Sequence, residues 1–197
     1  MRVSAYLVLA LFALAGCLPV PRTEEVKLMT LEADFTPSAT QADGPALLVA
    51  LPRARAGYDS AGMAYWRAPQ ELAYFARHRW VDTPPRMLAP LLVQALEASG
   101  GFSAVLAAPA VARAGLRLDT EVLRLRQNFS TSPSRVELVL RAQLSNVKTA
   151  EPVATRTFAA TVPCAADDPV RGAEAANQAV RLVLTELAQW AAETARR

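Results

Sequence analysis

Two stretches of the chain carry apolar residues at helical spacing. In RMLAPLLVQALEASGG, apolar residues recur at i, i+3, i+4, i+7 and i+8 from Leu88 to Leu96, and a pair of glycines ends the pattern. The second stretch begins at DDPVRG, where Asp168 is suited to cap a helix and Pro169 to take its first position. An apolar stripe then runs from Ala173 to Ala191. The pattern predicts two amphipathic helices, each packed on a core through one face.

The remaining apolar segments are typical of strands. Val26 to Phe35 has strand character, and ALLVAL, residues 46–51, is apolar on both faces, as a central strand would be. Three further segments have strand patterns: Leu116 to Phe129, Ser134 to Leu144 and Val153 to Val162. Their order predicts an antiparallel meander, and a change of apolar phase after Val122 predicts a β-bulge. We therefore expect a single α+β domain, in which two main helices pack on a mostly antiparallel sheet.

The chain opens with an apolar leader that ends at a cysteine. Arg2 precedes an apolar stretch from Ala5 to Ala15, within the roughly 7 to 15 residues of a signal peptide and short of the ~20 that span a bilayer. The residues LAGC, Leu14 to Cys17, resemble the lipobox of bacterial lipoproteins. That resemblance implies cleavage before Cys17, which then carries a diacylglycerol and an N-acyl chain such as palmitate. Two or three acyl chains hold a protein on a membrane, whereas one binds only marginally.

The leader divides the chain into three regions. A lipoprotein signal peptide over residues 1–16 is followed by an acylated N-terminus and tether over residues 17–25, and then by one domain over residues 26–197. Leu18 follows the cysteine instead of Asp, and this choice resembles lipoproteins sorted to the outer membrane. We expect the mature protein to be lipid-anchored at the periplasmic face of that membrane.

Composition and charge exclude several classes of function. The formal net charge is +3 and 20% of the residues are charged, with the arginines spread along the chain, so nucleic-acid binding is not expected. His78 is the single histidine, and no P-loop, G-x-G-x-x-G or G-x-S-x-G motif occurs. One histidine and Cys164 cannot supply the ligand spacing of a zinc site. We expect no catalytic residues, no metal and no cofactor beyond the acyl groups, and we interpret Cys164 as a passive free thiol.

The segment from Tyr58 to Trp80 has an unusual composition. It contains six aromatic residues interleaved with three arginines, and both residue types are enriched at the anchors of protein interfaces. A hairpin packed into the core would use the same aromatics, so a core interpretation stays open beside the interface interpretation. The interface interpretation assigns partner binding to six residues: Tyr58, Tyr65, Trp66, Arg77, Arg79 and Trp80.

The same segment opens a resemblance to a known family. The pieces YDS, MAY, ELAYF, WVDTPPRML and LRAQL follow one another between Tyr58 and Leu144, and in this order the sequence resembles the ABC-type transport auxiliary lipoprotein family. The likeness covers nearly the whole mature chain. Asn128 and Cys164 depart from the family pattern, which commonly has an acidic residue before the Phe and no cysteine near the last helix.

The resemblance implies a non-catalytic docking component of a transport system for phospholipid or other hydrophobic substrates. Its expected partners are a periplasmic MCE (mammalian cell entry) domain protein, an ABC permease and its ATPase. Because some relatives form rings, homo-oligomerisation is left open. Two alternatives also stay open: a periplasmic carrier that holds an acyl chain in a pocket between sheet and helices, and an anchored enzyme with a site around His78.

Overall fold

Nine strands and two helices make up the described part of the chain, residues 25–38, 44–110 and 114–197 of a computed structural model. The strands are β1 (Lys27–Met29), β2 (Leu47–Val49), β3 (Arg53–Ala54), β4 (Gly62–Trp66), β5 (Leu72–Trp80), β6 (Val105–Ala107), β7 (Leu116–Asn128), β8 (Arg135–Asn146) and β9 (Pro152–Pro163). The helices are α1 (Pro84–Ala98) and α2 (Pro169–Ala195). Cys17 and the signal peptide lie outside the described residues.

The strands β7, β8 and β9 form the predicted antiparallel meander. β7 pairs with β8 from Leu116↔Asn146 to Asn128↔Arg135, and β8 pairs with β9 over nearly its whole length. The register between β7 and β8 shifts between Val122 and Arg124, so the predicted bulge is confirmed. On β8 the alternate residues from Val136 to Leu144 are buried, because they face the helices.

The other edge of β7 is covered by three short strands in turn. β2, β3 and β4 each run parallel to β7, with Leu47 opposite Leu116, Arg53 opposite Glu121, and Tyr65 opposite Gln127. β2 lies between β7 and β6, as predicted for a central strand. β5 pairs antiparallel with β4, and β1 pairs parallel with β5.

The predicted α+β class is therefore confirmed: a single domain has one sheet whose long ladders are antiparallel, packed by two helices. The short parallel pairs were not predicted, because strands of two or three residues carry too little alternation to be recognised.

The segment after β1 is not the continuous strand predicted for Val26 to Phe35. Only Lys27–Met29 is a strand, and the chain then crosses the helices. Leu31 is buried, the Glu32 amide donates to Asn177 Oδ1 at 3.0 Å, and the Ser38 amide donates to the Ala98 carbonyl at 2.7 Å. These contacts replace the strand pairing, because the segment finds its hydrogen-bond partners on α2 and at the end of α1.

Both predicted helices are present. Asp168 Oδ1 accepts hydrogen bonds from the amides of Val170 and Arg171 at 2.8 and 3.0 Å, which confirms the predicted cap of α2. The buried stripe of α2 is rich in alanine, which lets α1 and the sheet approach its backbone closely. α1 begins at Pro84 and continues through Pro90. Within the described ranges, neither helix is long and apolar enough to cross a membrane.

The close approach of α2 to the end of α1 is tested by Gly101→Ala. A Cβ at Gly101 would lie 2.2 Å from Ala192 Cβ and 2.9 Å from its Cα, and the backbone of a long packed helix cannot move aside cheaply. We expect the free energy of unfolding to fall by about 1–3 kcal/mol in urea denaturation. The matched control is Gly115→Ala, where the nearest atom is Pro45 Cβ at 3.4 Å. It should change stability by less than about 0.5 kcal/mol, and equal effects of the two variants would contradict the packing argument.

Candidate functional site

The face of the sheet that faces away from α1 and α2 is here called the open face. Because side chains alternate along a strand, the register between β7 and β8 assigns every second residue of both strands to it, with a change of phase at the bulge of β7. It carries these charged residues: Arg117, Asp119, Glu121, Arg124, Arg126, Arg135, Glu137 and Arg141. Charges of both signs are interspersed, as in the Arg117–Asp119 pair at 2.8 Å, so this part of the face is suited to contact with water.

Trp66 lies on the open face in a fixed setting. It is opposite Asn128 in the β4–β7 register, and the Arg126 guanidinium lies 4.4 Å from the centroid of its ring, a cation–π contact. Arg126 Nε donates to Glu137 at 2.9 Å, and Asn128 Nδ2 donates to the other carboxylate oxygen at 2.8 Å. Arg124 completes the group at 3.3 Å from Glu137. The Trp66 indole is therefore packed against Arg126, and Arg126 is itself fixed by its hydrogen bond to Glu137.

The carboxylate of Glu137 is the centre of this group, here called the Trp66 site (Trp66, Arg124, Arg126, Asn128 and Glu137). Burial alone disfavours the charged carboxylate, but the hydrogen bonds from Asn128 and Arg126 and the two positive charges outweigh it. The pKa of Glu137 is therefore lowered from its ordinary value. The side chains of Arg126 and Glu137 are each only 16% exposed, so solvent screens this pair weakly.

The lowered pKa predicts a pH-dependent effect of Glu137→Gln. The ionised carboxylate stabilises the fold above the unfolded-state pKa of about 4.3, and this contribution is lost as the pH falls through the lower folded pKa. We expect the variant to lose about 1–2 kcal/mol at about pH 7, and the difference from the wild-type chain to shrink toward about pH 3. Urea denaturation across this range measures it, with exposed Glu151→Gln as control. The same loss at both ends of the range would contradict the charge argument.

A second aromatic group lies on the other side of β4. Tyr65 is opposite Gln127 and thus faces the helix side, where its ring is 4.7 Å from Phe75 and 5.9 Å from Phe129. The Arg67 guanidinium lies 5.3 Å from the ring centroids of both Tyr65 and Phe129. The interface interpretation does not include Phe129, although this residue ends the strand pattern predicted for Leu116 to Phe129.

The six residues of the interface interpretation do not form one surface. Tyr58 is 9% exposed and Trp80 is 4% exposed, so both belong to the core, and their assignment to an exposed binding surface was wrong. The reason is that Trp80 ends β5 with its side chain toward α2, and the loop between β3 and β4 turns Tyr58 into the core. Tyr65 and Trp66 are half-buried on opposite faces. Arg77 and Arg79 are exposed near the β1 edge. Partner binding by the exposed residues stays a prediction.

Sequence reasoning also missed a buried polar group at the start of α2. Gln127 Nε2 donates to Ser134 Oγ at 2.9 Å, to the Asp168 carbonyl at 3.2 Å and to Cys164 Sγ at 3.6 Å. Burial raises the pKa of the Cys164 thiol, and the nearby charges of Asp167 and Asp168 add to this. Such a thiol is a poor nucleophile, consistent with the passive role predicted for Cys164.

The acidic residues beside this group have structural partners. Asp167 accepts from the Ser134 amide at 2.6 Å, an interaction that lowers the pKa of its carboxyl, and Asp168 caps α2. In the described part of the chain, no three His, Cys, Asp or Glu side chains are placed to hold a metal. His78 lies with its ring centroid 6.4 Å from that of Phe75, in an edge contact.

The space between the sheet and the first turns of α2 is tightly packed. The cavity bordered by Met63, Trp80, Gln127 and Gly172 has a volume of about 10 Å³, the space of a single water molecule. This cavity is too small for an acyl chain, whereas a larger, open groove of about 460 Å³ runs along β9 and α2 beside Ala160, Leu182 and Thr185.

A family model described as the ABC-type transport auxiliary lipoprotein component matches residues 28–188. The chain belongs to this family. The auxiliary lipoprotein is similar in structure to a Xanthomonas campestris protein of the family model DUF330, with 28% identity, a TM-score of 0.79, and coverage of 87% of this chain and 97% of that one. A hypothetical protein from Chlamydia trachomatis shares the fold at 9% identity, with a TM-score of 0.55 and coverage of 77% and 98%. No curated protein matched.

The family assignment confirms the resemblance stated from the sequence. It identifies the auxiliary lipoprotein as a transport component and implies a location at a membrane through a lipid anchor. The match begins at Leu28, within β1, and ends in α2, so it takes in the open face and the Trp66 site.

Proposed function

We propose that this auxiliary lipoprotein is a non-catalytic docking component of an MCE-type ABC transport system for phospholipid or other hydrophobic substrates. Its anchor is acylated Cys17 at the periplasmic face of the outer membrane. Its partners are the periplasmic MCE-domain protein and, through it, the ABC permease and ATPase, and a homo-oligomer is compatible with this role. The observation that carries the docking role is the Trp66 site on the open face.

Trp66 and Arg126 have the properties of an interface anchor. Tryptophan and arginine are the side chains that most often dominate binding energy, and they do so best when they are oriented before the partner arrives. Arg126 is fixed by Glu137 and in turn covers the indole at 4.4 Å, so little rotamer entropy is lost when a partner binds. The surrounding charges of both signs supply the polar rim that such anchors have.

Lipid transport requires a route that keeps acyl chains out of water, and a docking component can close that route at the membrane. Exposing an acyl chain to water costs about 0.8 kcal/mol for each CH₂ group, so the apolar route must stay closed up to the membrane. An anchored domain that binds the end of the MCE protein keeps the exit of that route beside the bilayer. This role requires a firm anchor and a rigid binding surface, and it requires no internal cavity.

The docking role predicts that Trp66→Ala weakens capture of the purified MCE-domain partner by about tenfold, a typical effect at a dominant interface residue. The free energy of unfolding should fall by about 1–2 kcal/mol, because the variant loses the cation–π contact and the buried part of the indole surface. Leu182→Ala is the matched control, since Leu182 is 46% exposed on α2, and it should leave capture unchanged. Trp80→Ala should instead cost about 3–5 kcal/mol of stability, because its indole is in the core. Unchanged capture by Trp66→Ala would contradict the assignment of the Trp66 site.

The anchor is tested by Cys17→Ser. The variant cannot accept a diacylglycerol. In cell fractionation we therefore expect the outer-membrane fraction to lose the chain and the other fractions to contain it. Cys164→Ser is the matched control, because that thiol is buried in the domain and should have no part in attachment. Retention of the Cys17→Ser chain in the outer membrane would contradict the lipoprotein anchor.

A further inference from the structure

Three strongly exposed aliphatic residues lie together where the chain enters the domain. Val26 is 45% exposed, Leu28 is 63% exposed and Val81 is 53% exposed. Val26 directly precedes β1 and Leu28 lies within it, and Val81 directly follows β5, the partner strand of β1. These three residues, together with Arg79, are here called the edge patch.

The register of β1 and β5 assigns the edge patch to one face. Leu28 is opposite Arg79, and the Val81 amide donates to the Met29 carbonyl at 2.8 Å, which continues the parallel pairing by one residue. Met29 and Trp80, the next residues along each strand, face the other way and pack on the core. The edge patch is therefore an outward surface on the open face, with three aliphatic side chains around the guanidinium of Arg79. Its nearest acidic neighbours are Glu25, in the tether, and Asp82, which pairs with Arg86 at 3.7 Å.

The length of the tether limits where the edge patch can be. Cys17 precedes Val26 by nine residues, and an extended chain of that length spans at most about 30 Å. If Cys17 carries the acyl chains, β1 is the first described element after the membrane. Val26 and Leu28 come directly after the tether. The edge patch therefore contains the residues of the domain that are closest in sequence to the membrane anchor.

We propose that the edge patch rests on the membrane surface, with Val26, Leu28 and Val81 among the lipid headgroups and Arg79 paired with lipid phosphate. This inference rests on the proposed acylation of Cys17. Aliphatic side chains beside basic ones are the combination that holds a surface at a membrane interface, where the aliphatic groups leave water and the charge meets anionic lipid. Arginine binds phosphate through two parallel hydrogen bonds, and Arg79 is exposed at the centre of the patch.

A lipid surface fits the edge patch better than a protein partner does. The patch has short branched aliphatic groups on a three-residue edge strand, without a fixed aromatic anchor of the kind found at the Trp66 site. Protein interfaces derive most of their binding energy from such anchors, whereas insertion among headgroups depends on apolar area and charge. The fold thereby separates two contacts along one open face: lipid at the β1 edge, and a protein partner at β4 and β7.

The test uses the full acylated chain with single Leu28→Cys or Val81→Cys substitutions, each labelled with an environment-sensitive dye. Cys164 is buried, so the wild-type chain is the labelling blank, and Leu182→Cys at the opposite, β9 side of the domain is the matched control. The labelled proteins are bound to vesicles of phosphatidylethanolamine and phosphatidylglycerol, with and without brominated acyl chains. We expect a blue shift and loss of intensity by bromine quenching at positions 28 and 81, and neither at position 182.

Each outcome separates the edge patch from the anchor. If the wild-type chain floats with vesicles but the label at position 28 behaves like that at position 182, the edge patch is overturned while the anchor stands. If the label at position 28 responds only when the MCE-domain protein is added, the patch is a protein surface and the proposal is overturned. If the wild-type chain does not float and its Cys17 takes the dye, the anchor fails and the edge patch, which depends on it, fails with it.

Discussion

The β-bulge of β7 determines which side chains reach each face of the sheet. Before the bulge the even-numbered residues, such as Leu118 and Val122, are buried, and after it Leu125 and Gln127 are buried instead. Without that extra residue, Arg126 and Asn128 would point into the core, because a shift of one residue exchanges the two faces of a strand. The cluster around Glu137, and with it the setting of Trp66, exists because the phase changes at this point.

The bulge also brings Gln127 to the start of α2. Burying an amide is costly unless its hydrogen bonds are made, and its Nε2 group makes them to Ser134, Cys164 and the Asp168 carbonyl. Gln127 Oε1 has no hydrogen-bond partner among the described residues and packs against Gly172, where a Cβ would lie 2.3 Å away. A side chain at position 172 would therefore displace the Gln127 amide from its hydrogen bonds. The helix that covers the meander is thus positioned by three residues together: the capping Asp168, Gly172 and Gln127.

The two surfaces proposed to bind partners lie on the same face for a geometric reason. The helices cover one side of the sheet, so a membrane or a protein that contacts the sheet itself meets its other side or its edges. β1 at one edge follows the tether directly, whereas Trp66 lies further in, between β5 and β7. In the proposed arrangement, the β1 edge of the domain contacts the bilayer, and Trp66 lies on the same face, two strands further into the sheet.

Local pattern in the sequence was sufficient for the helices, the meander, the bulge and the cap at Asp168, because each depends on residues close together in the chain. It was also sufficient for the family. The exposure of the aromatic segment could be decided only in three dimensions: Tyr58, Tyr65, Trp66 and Trp80 look alike in sequence, but their burial depends on strands and helices far along the chain. The same holds for the short parallel strands, whose pairing with β7 is non-local, and for Gln127, whose polarity made it an unexpected core residue. Periodicity determined which segments form helices and strands, and packing between distant segments decided which side chains remained available for binding.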